Sequence, residues 1–167
     1  MSEWIKNAAE RLKRRREEEK KRLGRGLASA KALHSDAPML WNKLSERIEG
    51  TAADFNKQFT DDPLCPQPVH FESFRHSVAL ATVYCNSNSP TYRLIVTFLE
   101  ERAVVACSLR ASDHSRPPVA GPPAELQFRV SDGGQVEIYQ GDKAISMDEA
   151  VRSIVEPLFD SVELIAY

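Results

Sequence analysis

The chain is poor in the features that announce a function. It holds three cysteines in 167 residues, Cys65, Cys85 and Cys107. An odd number at wide, unpaired spacing excludes the disulfide framework of a small secreted domain. Long hydrophobic runs are missing: the longest, LIVTFL at residues 94–99, is far short of the roughly 20 apolar residues that span a bilayer. The opening residues, MSEWIKNAAERLKRR, lack the apolar segment of a signal peptide. Asn88-Ser89-Pro90 fails as a glycosylation acceptor at its third residue, and no other candidate exists. A cytoplasmic location is the expectation. No phosphate loop, dinucleotide fingerprint or HExxH pair is present, so no cofactor is expected.

An excess of one charge is missing as well. Lys and Arg number 22 against 24 Asp and Glu, for a net charge of −2. A dedicated nucleic-acid-binding domain is normally strongly basic, so nucleic acid is a disfavoured partner. The near-balance hides a segregation, however. Residues 1–25 carry 10 basic and 5 acidic side chains, residues 26–60 carry 4 of each, and residues 61–167 carry 8 basic against 15 acidic. The positive charge belongs to an N-terminal arm, and the negative charge to the rest of the chain. Such asymmetry bears on partners rather than on fold.

The arm reads as a helix over residues 2–23, with Trp4, Ile5, Ala8 and Leu12 at helical spacing. The apolar stripe then lapses through RLKRRREEEKKR and returns at Leu23 and Leu27. Pairs four apart, such as Lys13–Glu17, Arg15–Glu19 and Glu18–Arg22, each add about 0.2–0.5 kcal/mol to an exposed helix. A helix polar all round in its middle is a solvated rod or a contact surface, not core. Gly24 and Gly26 are predicted to break or hinge it. A restart is predicted at Asp36-Ala37-Pro38, because aspartate caps and proline suits a first turn. The helix that follows, 37–59, carries Trp41, Leu44, Ile48, Ala52, Phe55 and Phe59 on one face.

Residues 60–68, with three prolines, read as a linker. The hydrophobic period then changes from helical to alternating. Strands are predicted near 69–74, 77–85, 91–99, 103–110, 125–130 and 135–140, with 143–145 a short extra one. Their connections are short, which favours antiparallel hairpins over parallel crossovers. The exception is the proline-rich loop 111–124. Ser146, with Glu149 three residues later, forms a capping box that opens a last helix over 147–160, which Pro157 is expected to kink or end.

The predicted fold is α+β: an antiparallel meander of about six strands packed against helices 37–59 and 147–160, with a charged helical arm at 1–26. Residues 27–167 form the single folded domain.

Several residues invite a chemical reading. Cys65, His70, His76 and Cys85 contain metal-ligand types, but their spacing matches no structural zinc pattern. Asp113-His114-Ser115 contains triad residue types, but in adjacent positions, whereas triads are assembled from separate segments. Glu100-Glu101 and Asp61-Asp62 are neighbours that point apart, unlike a catalytic carboxylate pair. Gly133-Gly134 is a hairpin turn. No catalytic or metal site is expected, so the chain reads as non-catalytic. The remaining candidate is the arm itself: Trp4, Arg11, Lys13, Arg14, Arg15, Arg16, Lys20, Lys21 and Arg22. The expected partner is another protein or a second copy of the chain. Binding of nucleic acid or an anionic surface by the same arm is the alternative, as is a ligand-binding or enzymatic groove between sheet and helix near His70, His76 or Tyr92.

Overall fold

A computed structural model describes residues 3–62, 66–82, 92–111 and 125–163, with the side chains of 162 and 163 excepted. Cys65, Cys85, Asp113-His114-Ser115, the predicted strand end 83–85 and nearly all of the loop 111–124 lie outside the described residues. The described part is α+β, as the hydrophobic periods imply. A long helix α1 (Glu3–Lys57) is followed by seven strands and a closing helix α2 (Met147–Glu163).

The strands are β1 (Val69–Phe74), β2 (Ser77–Thr82), β3 (Tyr92–Leu99), β4 (Val104–Ala111), β5 (Leu126–Val130), β6 (Val136–Gln140) and β7 (Lys143–Ile145). They form one antiparallel sheet in sequence order, β1 to β7. The short extra strand at 143–145 is real, and it completes the seventh position. Alternation along β3 decides which face is buried: Tyr92, Leu94, Val96 and Phe98 are buried, and Arg93 and Leu99 are exposed. Register carries that face across the sheet, pairing Leu94 with Leu80 and Leu109, and Phe98 with Val105.

Both helices cover this face. Trp41, Leu44 and Ile48 of α1 and Ile154 and Leu158 of α2 are buried in the same cluster as the inward strand residues. Aromatic rings join the layers. Trp41 stacks on Phe98 at 5.7 Å between centroids, Phe98 meets Phe128 at 5.6 Å, and Phe55 of α1 stacks on Phe159 of α2 at 4.2 Å. Such pairs contribute beyond simple area burial.

The sheet is narrow at one joint. β4 and β5 share two register pairs, Val104 with Gln127 and Val105 with Leu126. The joint is reinforced from the turn before β4, where Ala103 adopts a left-handed backbone (φ 50) and its carbonyl accepts from the Phe128 N–H at 2.8 Å.

The main departure from expectation is in α1. Neither Gly24 nor Gly26 breaks it, and Pro38 lies inside it rather than at the start of a new helix. An interior glycine costs only about 1 kcal/mol relative to alanine. The residues around the two glycines, KKRL before and LASAKAL after, are mostly strong helix formers. Pro38 removes one backbone bond and crowds the carbonyl one turn earlier, but Ala37 and Trp41 beside it are buried, and that packing holds the segment helical. α2 likewise continues through Pro157 to Glu163.

Candidate interaction surface on the N-terminal helix

At about 1.5 Å per residue, the 55 residues of α1 extend about 80 Å. Packing begins only near Leu33. Every residue from Glu3 to Ala28 is exposed, so about half of the helix projects past the sheet. All nine arm residues singled out from the sequence, Trp4, Arg11, Lys13, Arg14, Arg15, Arg16, Lys20, Lys21 and Arg22, are solvent-exposed. The ion pairs within the arm that the four-residue spacing suggests are not closed; among the described residues, the ion pairs all lie in the body, from Arg47–Asp148 onward.

Because α1 is uninterrupted, angular position can be carried along it at about 100° per residue. Ile5, Leu23 and Trp41 follow one another at eighteen-residue steps, which are five whole turns. Leu12, Ala30 and Ile48 do the same on an adjacent line. Trp41 and Ile48 point into the core. Ile5, Leu12, Leu23 and Leu27 therefore leave the arm on the side where the body sits, yet they are 41%, 53%, 60% and 74% exposed.

Charge is sorted around this stripe. Lys6, Lys13 and Lys20, seven residues apart, run along one flank, and Arg11, Arg15 and Arg22 along the other. Glu3, Glu10 and Glu17 share the back with Arg14 and Lys21, and Glu18 borders the arginine flank. The stripe itself is interrupted by one residue of each sign, Arg16 and Glu19. The arm is thus amphipathic, with basic margins and a mixed-charge middle. The sequence-based list held the charges of the arm and left out Ile5, Leu12, Leu23 and Leu27, because a helix broken at Gly24 loses the phase that ties this stripe to Trp41 and Ile48. The eighteen-residue spacing was the signal that would have found them.

The arm and the body form a notch. Its wall is the apolar side of the arm, and its end is the body that covers the same side of α1 further on. On the other side of α1, away from the apolar line at about 100° per residue, a cleft of about 570 Å³ separates Arg25, Ala28, Ser29 and Ala32 from the β5–β6 turn. A second cleft, about 460 Å³, lies between α1 and α2. Its rim carries paired charges, Arg47 with Asp148 at 2.8 Å and Arg152 with Glu156 at 3.0 Å.

The other residue types considered do not converge. Tyr92 is 1% exposed inside the core. His70 is exposed opposite Ala81 in the β1–β2 register, and His76 is exposed in the turn between those strands. Glu100 and Glu101 sit on an exposed 3-10 turn. Asp61 is exposed and Asp62 half-buried beyond the end of α1. Cys107 is half-buried on β4, where burial pushes its thiol up to about 12, leaving it protonated and a poor nucleophile at neutral pH. Among the described residues, no three His, Cys, Asp or Glu side chains are grouped to hold a metal, and no helix is long and apolar enough to cross a membrane.

No protein-family profile matches the chain, no curated protein matches it, and no solved structure matches its fold.

Proposed function

We propose that the protein is a non-catalytic protein–protein interaction or oligomerisation module that works through its N-terminal helical arm. One observation carries this reading: large apolar side chains line one side of a projecting helix, with Leu27 at 74% exposure. The body does not need that half of α1 for its own core. Exposed apolar side chains within a polar rim mark an interaction site, and an amphipathic helix is a common recognition element. The cytoplasm, where thiols such as Cys107 stay reduced, is the proposed location.

Cross-linking in cells that express the full chain tests the reading. Adducts to a protein are expected through Lys6, Lys13 and Lys20. The absence of any adduct from these lysines, with body lysines reacting normally, overturns it.

The lysine flank favours a second reading, in which the arm contacts a polyanion. That reading requires retention on a polyanionic resin that weakens steeply with salt. Retention that is absent or indifferent to salt removes it.

A further inference from the structure

We infer that the occupant of the notch is the arm of a second copy of this chain, paired antiparallel about a two-fold axis that passes between Glu17 and Glu18. This rests on the proposed role of the arm and names its partner. The shape of the molecule narrows the choice first. The apolar side of the arm faces the same way as the side of α1 that packs on the sheet. The body therefore projects past the arm on that side by at least the ~10 Å of a packed layer. A flat surface such as a membrane cannot lie along the stripe without meeting the body. A rod of helix diameter fits.

The stripe is also complementary to itself when read backwards. In the antiparallel register where paired residue numbers sum to 35, Leu12 faces Leu23 of the second copy and Ala8 faces its Leu27. Ile5 faces its Ala30. Large side chains meet large at one level and small at the next two, so the helices can approach closely. At the centre, Arg16 faces Glu19 of the other copy, and the two-fold repeats that pair. The residues that interrupt the stripe thus become its electrostatic register mark, the role that lone polar residues play in helix pairing. A parallel pair would instead set Arg16 against Arg16 and Glu19 against Glu19. It would also bring both bodies to the same end, on the facing sides, where they collide. The antiparallel arrangement places them at opposite ends.

The flanks oppose this pairing. Lys13 comes near Lys20 of the second copy, and Arg15 near its Arg22. Apolar contact and the central ion pairs must outweigh that repulsion, which salt screens. The arrangement therefore has an unusual signature: added salt strengthens it, whereas salt weakens any polyanion contact.

Sedimentation equilibrium on the full chain, at about 0.05 M and about 0.5 M salt, tests the inference. A dimer is expected, tighter at high salt. Leu12→Glu or Leu23→Glu is expected to leave a monomer whose urea unfolding matches the parent, since both positions are exposed. Arg16→Glu and Glu19→Arg are each expected to weaken the dimer about tenfold, because symmetry applies each change twice. The double variant R16E/E19R is expected to restore it. Three results overturn the pairing: a chain monomeric at both salts, a dimer indifferent to Leu12→Glu, or a double variant no better than the singles. A monomeric chain whose arm lysines still cross-link to another protein in cells defeats the self-pairing and leaves the proposed function standing. A monomeric chain with no such cross-link defeats both.

Discussion

Asn56, in the last turn of α1, pairs with Val69, the first residue of β1, as though it were a neighbouring strand. Its Nδ2 donates to the Val69 carbonyl at 2.8 Å, and the Val69 N–H donates to its Oδ1 at 3.0 Å. One side chain thus satisfies both backbone groups of a buried residue at the edge of the sheet and ties the helix to it. Asn56→Ala leaves both groups unpaired. A partly buried backbone group without a partner costs about 1–3 kcal/mol, so urea unfolding should shift by about that amount at unchanged m-value. A shift below about 0.5 kcal/mol means that water replaces the side chain.

The continuity of α1 makes opposite predictions from a two-helix reading. If Pro38 is interior, Pro38→Ala restores a backbone bond and relieves the crowding, and stability should rise by about 1–3 kcal/mol. If Pro38 opened a separate helix, the same change would be neutral or unfavourable. Gly24→Ala should raise the far-ultraviolet helix signal without moving the midpoint for the body. A Cβ at Gly24 has nothing within 4 Å to meet, and the gain of about 1 kcal/mol stays in the arm.

The difficulty with α1 shows which physics a local reading captures. Strand alternation, the capping box at Ser146 and the apolar face of α1 beyond Ala37 are local patterns tied directly to burial, and they gave the sheet order and both covering helices. Pro38 and the paired glycines are also local signals, but here the burial of Trp41, Leu44 and Ile48 outweighs them. That term depends on a sheet formed from residues far along the chain. The arm surface went half-seen for the same reason: its charges and its apolar residues were visible in sequence, but the alignment of Leu12 and Leu23 with Trp41 and Ile48 exists only if the helix is unbroken. The Asn56–Val69 pairing had no sequence signal at all, because it depends on where the linker returns the chain.

The capping box also carries a pH dependence. Glu149 accepts from the Ser146 N–H at 2.8 Å and from its Oγ at 3.0 Å, while the Glu149 N–H donates to Ser146 Oγ at 3.2 Å. The backbone and hydroxyl of Ser146, followed by the charge of Lys143, hold the Glu149 carboxyl below its ordinary value of 4.5. Folding therefore favours the ionised form. The resulting stability is fully present above pH 4.5 and is lost as pH falls through the lowered folded-state value. Glu149→Gln should flatten the acid limb of a stability–pH curve, with little change in its slope near neutrality. Ser146→Ala should cost about 0.5–2 kcal/mol at neutral pH. An acid limb identical to the parent's in the glutamine variant refutes the assignment.

Thr82, at the end of β2, is 0% exposed, and its Oγ1 has no hydrogen-bond partner among the described residues. It lies between Val69 and Tyr92 in the sheet register, both buried. A hydroxyl desolvated without a partner costs about 1–3 kcal/mol, and the methyl of valine occupies nearly the same space without that penalty. Thr82→Val should raise stability by about 1 kcal/mol or more. Thr82→Ser retains the orphaned hydroxyl and deletes a buried methyl, so it should lower stability by about 1 kcal/mol. The two signs together separate the polar term from the packing term. A Thr82→Val variant that is destabilised shows that the hydroxyl is bonded in solution, to water or to the chain that follows β2, and makes Thr82 a structural anchor for that segment instead of a site of unmet polarity.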